Sequence, residues 1–184
     1  MAKLTTEQIR NRFEFSNEFN EIFDAFEQAL EQRLDDFELY QLLFWNHSLT
    51  PDELCLFGEQ LAKEFPILAY DTFMFLAKVF EVTHSMIDNH ELAFHYYKKA
   101  ASVRPDSPEP YMHAADCYEP DLNIPPLSAI IDFFKKGAQH ATKPKIFYRK
   151  LAEYYDILGN DEMRNYYRRL ASEDPPAPQE PSQS

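Results

Sequence analysis

The side chains here with the best claim to chemistry are two cysteines, six histidines and a few paired carboxylates. His90 and His95 flank Glu91, an arrangement close to that of a zinc-hydrolase helix. Such a helix holds its two histidines four residues apart on one face, with the glutamate as base. Here the interval is five, which turns the second ring about 140° away from the first. His47, His84, His113 and His140 are scattered without ligand spacing. Cys117 follows Ala114, Ala115 and Asp116 inside a helical pattern and reads as a small core residue. Gly58, Gly137 and Gly159 stand alone, so no glycine-rich loop is present to cradle a phosphate. Asp35 and Asp36 read as solvated charges at a helix end. These residues specify no reaction, cofactor or metal site, and the chain is expected not to be an enzyme.

The composition explains why the chemistry is thin. The chain has 184 residues, 45% hydrophobic and 15% aromatic, enough for one well-filled domain. It holds 3 glycines against 13 prolines. That balance weighs against phosphate-loop α/β enzymes, which need positive-φ positions, and suits helices punctuated by proline. The formal net charge is −13. Residues 1–92 carry 18 acidic and 6 basic side chains, residues 93–184 carry 13 and 12. Nucleic acid and anionic membrane surfaces are therefore poor partners. The front half suits a basic or amphipathic polypeptide, unless its charge merely solvates the surface. Two lone cysteines imply a reducing compartment rather than a disulfide framework. The first residues contain no apolar signal core and no run approaches the ~18 apolar residues of a membrane span, so a cytoplasmic location is expected.

Periodicity is helical throughout. One rhythm recurs: Phe73, Leu76, Ala77 and Phe80; Tyr111, Ala114, Ala115 and Tyr118; Tyr148, Leu151, Ala152 and Tyr155. A fainter copy at Leu39, Leu42 and Leu43 has Asn46 in place of the last aromatic. Bulky residues flanking small ones on one face admit a second helix between them. That second helix has its own signature, Ala93, Tyr97 and Ala100 ahead of Pro105. Leu54, Gly58, Leu61 and Pro66 repeat it, as do Met163, Tyr167, Leu170 and Pro175. Ile130, Phe134 and Gly137 follow with Pro144 two places late. Each proline ends a helix. Thr50-Pro51-Asp52-Glu53 is a strong helix start, with a cap, a proline and a glutamate three past the cap.

In this rhythm the chain resembles tetratricopeptide repeat (TPR) proteins, built of helix-turn-helix units of about 34 residues. The resemblance implies an all-α fold, a right-handed solenoid of helical hairpins over residues 35–173. Its repeats fall near 36–66, 70–105, 108–142 and 145–175. Long inter-helix turns are expected near 83–90 and 119–127, and a short one at Gly159-Asn160. Residues 174–184 are proline-rich and polar, the composition of a disordered tail. Residues 1–34 form an N-terminal helical segment whose stripe of Phe19, Phe23, Phe26, Leu30 and Leu34 offers two uses. It covers the open end of the first repeat, or it supports self-association as a homodimer.

The first helices of such repeats line a concave groove. Carried onto this sequence, the groove presents Tyr40, Phe44 and His47, then Met74, Lys78 and Glu81. Met112, Asp116 and Glu119 follow, then Arg149, Glu153 and Asp156. Its aromatic, Met-rich front suits the apolar anchors of a protein or peptide client. Asp116 and Glu119 would repel a carboxylate ligand, which argues against the clamp that binds acidic chaperone tails. Three stretches also resemble class II chaperones of bacterial type III secretion, which hold translocator subunits: ELYQLLFW (38–45), SPEPYMHAADCY (107–118) and PLSAII (126–131). That resemblance implies client capture by Tyr40, Phe44, Met74 and Met112, and dimerisation through the N-terminal helices. The alternative is a TPR adaptor in another complex.

Overall fold

The computed structural model describes residues 3–83 and 87–172. Among these residues the architecture is all helical, in five successive pairs. An N-terminal pair, α1 (Thr6–Phe15) and α2 (Phe19–Glu31), precedes α3 (Phe37–Phe44) and α4 (Pro51–Glu64). Then follow α5 (Ala69–Thr83) with α6 (Ile87–Val103), and α7 (Glu109–Asp116) with α8 (Leu127–His140). The last pair is α9 (Lys145–Ile157) with α10 (Asp161–Ser172). The second helix of each pair also packs on the first helix of the next, as α4 on α5, α6 on α7 and α8 on α9. This is a stacked solenoid.

Local chemistry sets the helix ends. Thr50 accepts from the Glu53 N–H at 3.3 Å while the Glu53 carboxylate accepts from the Thr50 N–H at 2.7 Å. Thr5 and Gln8 make the same reciprocal cap on α1. Such caps satisfy donors that the first turn leaves without partners. Asp36 caps α3 by accepting from the Glu38 N–H, and Asn160 caps α10 by accepting from the Met163 N–H. Gly159 takes φ +66°, where a side chain would be strained, and so permits the tight α9–α10 turn.

The repeating rhythm is the packing code. Leu76, Ala77, Phe80, Ala93, Tyr97 and Ala100 are essentially inaccessible, and Leu151, Ala152 and Tyr155 are buried likewise. Gly137 marks a close approach between pairs. A Cβ there would overlap the Phe147 ring and lie 2.8 Å from the Tyr111 ring. Helix propensity alone favours alanine by about 1 kcal/mol, yet overpacking costs about 1–3 kcal/mol. Gly137→Ala is therefore expected to lower the urea midpoint. Gly58→Ala, which meets only the Leu76 side-chain tip, should lower it less.

Two inter-helix turns are expected to be long. Near 83–90, α5 runs to Thr83 and α6 starts at Ile87, and residues 84–86 lie outside the described residues. The turn near 119–127 is long, as its composition indicates. There the Glu119 N–H donates to the Ile124 carbonyl at 2.8 Å, Asn123 has φ 51°, and the Ile124–Pro125 peptide is cis. The expected tail, residues 174–184, lies outside the described residues.

The N-terminal pair is part of the core. Ile9, Phe13, Ile22 and Phe26 are buried, α1 packs on α3 and α2 on α4. Phe26 stands 4.9 Å from Phe57, edge to face, and 6.2 Å from Tyr40. Phe19 and Phe23 also reach Phe57, at 5.9 and 6.3 Å. Asn46 fastens the junction by donating to the Phe13 and Ser16 carbonyls at 2.8 and 2.9 Å.

Candidate binding surface

The accessible residues of the first helices form stripes that differ from the expected ones. On α3 and the residue after it the stripe is Phe37, Gln41 and Trp45; on α5 it is Asp71, Phe75, Lys78 and Val82. Steps of three and four place each set on one face. The two stripes meet at Phe75, whose ring lies 6.0 Å from Phe37, 6.3 Å from Phe44 and 5.9 Å from Trp45. Phe37 and Trp45 meet it nearly edge-on, at 90° and 76°, the arrangement in which a positive ring edge faces a negative ring face. Trp45 is 44% exposed and Val82 65%, so the cluster opens to solvent with its rings already positioned. The same α5 stripe carries Asp71 and Lys78, and Asp35, Asp36 and Glu38 stand at the start of α3.

Three expected groove residues are core residues instead. Tyr40 is inaccessible and donates its hydroxyl to the Leu34 carbonyl at 2.6 Å; Phe44 and Met74 are buried as well. Phe13 and Phe26 of the N-terminal pair pack against Tyr40 at 6.1 and 6.2 Å, and the accessible stripe of α3 falls one residue later than expected. His47 is exposed but lies in the turn beyond α3. Lys78 and Asp116 are exposed and Met112 half-buried, all on the outward stripes of α5 and α7. Lys78, Met112 and Asp116 are thus at least partly accessible, Tyr40, Phe44 and Met74 are buried, and Phe37, Trp45 and Phe75 reach the surface.

The proposed association stripe changes too. Phe26 is buried, while Phe19, Phe23 and Leu30 are half-buried against the core. The stripe covers α4, and Phe26 is closed to a second chain.

Further along, the surface becomes polar. Half-buried Glu81 accepts the Tyr97 hydroxyl at 2.7 Å, and His113 stacks on the Tyr97 ring at 5.8 Å. Cys117 is buried, and burial, with Glu81 and Asp116 adding, pushes its thiol up to about 12. Burial thus disfavours the thiolate, the nucleophilic form of the side chain. On α9, Asp156 accepts from Arg164 at 2.7 Å, a bond that holds its carboxyl below the usual range. No group of three or more His, Cys, Asp or Glu side chains is placed to hold a metal among the described residues. No described helix is long and apolar enough to cross a membrane.

No family model and no curated protein matches this sequence. A solved structure does. The crystal structure of MamA, a protein containing TPRs, aligns with 93% of this chain and 94% of its own. The TM-score is 0.50 and the identity 13%. The fold is a TPR-type helical solenoid. At that identity the likeness concerns the path of the backbone alone.

Proposed function

We propose that this protein is a binding module that holds a basic, amphipathic polypeptide segment on the outward faces of α3 and α5. The observation that carries this reading is the half-open aromatic cluster on the acidic front half of the chain, where residues 1–92 carry 18 acidic and 6 basic side chains. Apolar side chains of the partner fill the space beside Trp45 and Phe75, and its lysines or arginines meet carboxylates such as Glu38 and Asp71. Apolar contacts supply most of the affinity, and charge complementarity supplies encounter rate and selectivity. The reading assigns the chain no reaction of its own.

Trp45 is the single tryptophan, so its emission reports directly on the site. Titrating the full chain with a lysine-rich peptide carrying leucines at i, i+3, i+4 and i+7 should shift that emission to the blue. Phe37→Ala with Phe75→Ala should weaken binding about 10-fold or more, each truncated anchor being worth roughly 1–2 kcal/mol. An isosteric glutamate-rich peptide should leave the emission unchanged. Equal response to both peptides, or equal affinity in the double variant, would remove the cluster from the function.

A finer reading makes the client a translocator subunit awaiting type III secretion. The three stretches at 38–45, 107–118 and 126–131 support it. The first of them covers most of α3 and includes Trp45. Coexpression with a hydrophobic translocator should yield a soluble complex that Phe37→Ala with Phe75→Ala disrupts; a general adaptor would leave the translocator insoluble.

A further inference from the structure

Each pair is antiparallel and the pairs stack, so the C-terminal ends of the first helices lie along one edge. Contacts join them in order. Asn46, just past α3, bonds the Phe13 and Ser16 carbonyls at the end of α1. The Trp45 ring meets Phe75 of α5. Glu81, near the end of α5, accepts the Tyr97 hydroxyl, and His113 of α7 stacks on the Tyr97 ring.

Every first helix carries an exposed apolar side chain at or just past this end: Phe15, Trp45, Val82, Leu122, and the neighbours Ile157 and Leu158. The least accessible of them, Trp45, is still 44% exposed. A lone apolar side chain at a surface is ordinary, whereas one at each step of an aligned edge makes a ladder. The charge beside the ladder has one sign. Residues 14–19, 45–53, 81–83, 117–126 and 156–162 each contain carboxylates and no lysine or arginine. Within four residues of these stretches stand Arg10, Arg12, Lys78 and Arg164. Of these, Arg12 pairs with Asp24, and Arg164 with Asp156 and Asp161. The opposite edge differs. Ile67, Val103 and Ile146 are exposed there, but Arg33, Arg104 and Lys143 stand exposed among them.

We infer that the basic, amphipathic segment held at Trp45 continues as a helix along this edge, past Val82 to Leu122 and Ile157. The inference rests on the reading of the Trp45 cluster and extends it. First helices pack directly where α1 meets α3 and α3 meets α5. Packed helices lie about 8–10 Å apart, and a helix rises ~10.5 Å in seven residues. An apolar side chain at every seventh position of the partner therefore meets successive steps of the ladder. Lysines or arginines beside it meet the carboxylates between the steps. Charge also selects the edge, since on the opposite one the partner would face like charge.

Two lysine-rich peptides with leucine at every seventh position test the path, one of about 11 residues and one of about 32. Each is titrated into the full chain and followed by Trp45 emission and by calorimetry. The long peptide should bind about 10-fold or more tightly than the short one. Leu122→Ser with Ile157→Ser should remove most of that gain and leave the affinity of the short peptide unchanged. Leu122→Lys alone should remove part of it. Circular dichroism checks that each variant is folded. A long peptide whose added leucines are serines keeps its charge and should lose the gain. Equal affinity of the two peptides, or a gain that survives either the double variant or the serine replacement, would overturn the path while binding at Trp45 stands. If neither peptide shifts the Trp45 emission, the cluster is not the site and both readings fall.

Discussion

Deleting residues 1–34 is expected to unfold the first repeat and leave the rear of the stack helical. The deletion removes Ile9, Phe13, Ile22 and Phe26, all buried, and uncovers Tyr40 and Phe57, which they cover. Each large apolar side chain contributes about 1.5–3 kcal/mol on burial. Four of them together are comparable to the whole stability of a typical domain, about 5–15 kcal/mol. Stacked repeats couple mainly to their neighbours, so the loss falls first on α3 and α4 and fades toward α10. Two readouts separate local from global loss. Trp45 emission should move to that of a solvated indole, while helical circular dichroism falls by more than α1 and α2 contribute but persists in part. A truncated chain with unchanged melting temperature and a Trp45 emission like that of the full chain would show the N-terminal pair to be dispensable.

That expectation depends on a feature which sequence patterns disclose poorly. The later pairs were legible because α5, α7 and α9 repeat a large-small-large face and α4 and α6 stop just before a proline. Phe73, Leu76, Ala77 and Phe80 are buried as that code requires. Helix α1 has no such code: only Ile9 and Phe13 are buried, amid Arg10, Arg12, Glu7 and Glu14. A short helix with two buried residues is hard to tell from a solvated segment. Its presence nevertheless decides the binding surface. Because Phe13 stacks beside Tyr40 at 6.1 Å, α3 turns Tyr40 and Phe44 inward and Phe37 and Trp45 outward. Spacing locates a stripe within a helix, whereas the phase of that stripe is set by whatever packs behind it.

The connection after α5 teaches the complementary lesson. Polar residues from Thr83 to Asn89 suggest a long turn, but Asn89 and His90 belong to α6 and Asn89 is buried. Stacking against the neighbouring pairs overrides weak local preference, as it does for most short helices. The 117–126 connection is different. With prolines at 120, 125 and 126, helix is closed to it, and Asn123 instead supplies its side-chain oxygen to the Leu127 N–H at 3.0 Å.

Asn46, which replaces the aromatic in the first repeat, should be among the least replaceable side chains in the molecule. It is buried, and both of its polar atoms are engaged. The amide nitrogen donates to the Phe13 and Ser16 carbonyls, which end α1 and have no helical partner. The oxygen accepts from the Ser48 N–H at 2.9 Å and the Ser48 hydroxyl at 2.6 Å. Asn46→Leu keeps the volume but leaves the Phe13 carbonyl and the Ser48 N–H without this partner, and the Ser16 carbonyl with only the Ser48 hydroxyl at 3.4 Å. At about 1–3 kcal/mol for each buried group left unsatisfied, a loss of roughly 3–4 kcal/mol is expected in urea unfolding. Asn46→Asp is the sharper test. An ionised carboxylate there faces two carbonyl oxygens and donates to neither, so the fold raises the pKa of the new carboxyl above its unfolded value. Protonation returns one donor. The deficit relative to the wild type should therefore be greatest near neutral pH. It should shrink as pH falls through the raised folded value, and reach its minimum below the unfolded value near 4. Asn46→Leu should show no such recovery. A flat profile for Asn46→Asp would mean that the amide is not the fastening between α1 and the α3–α4 turn.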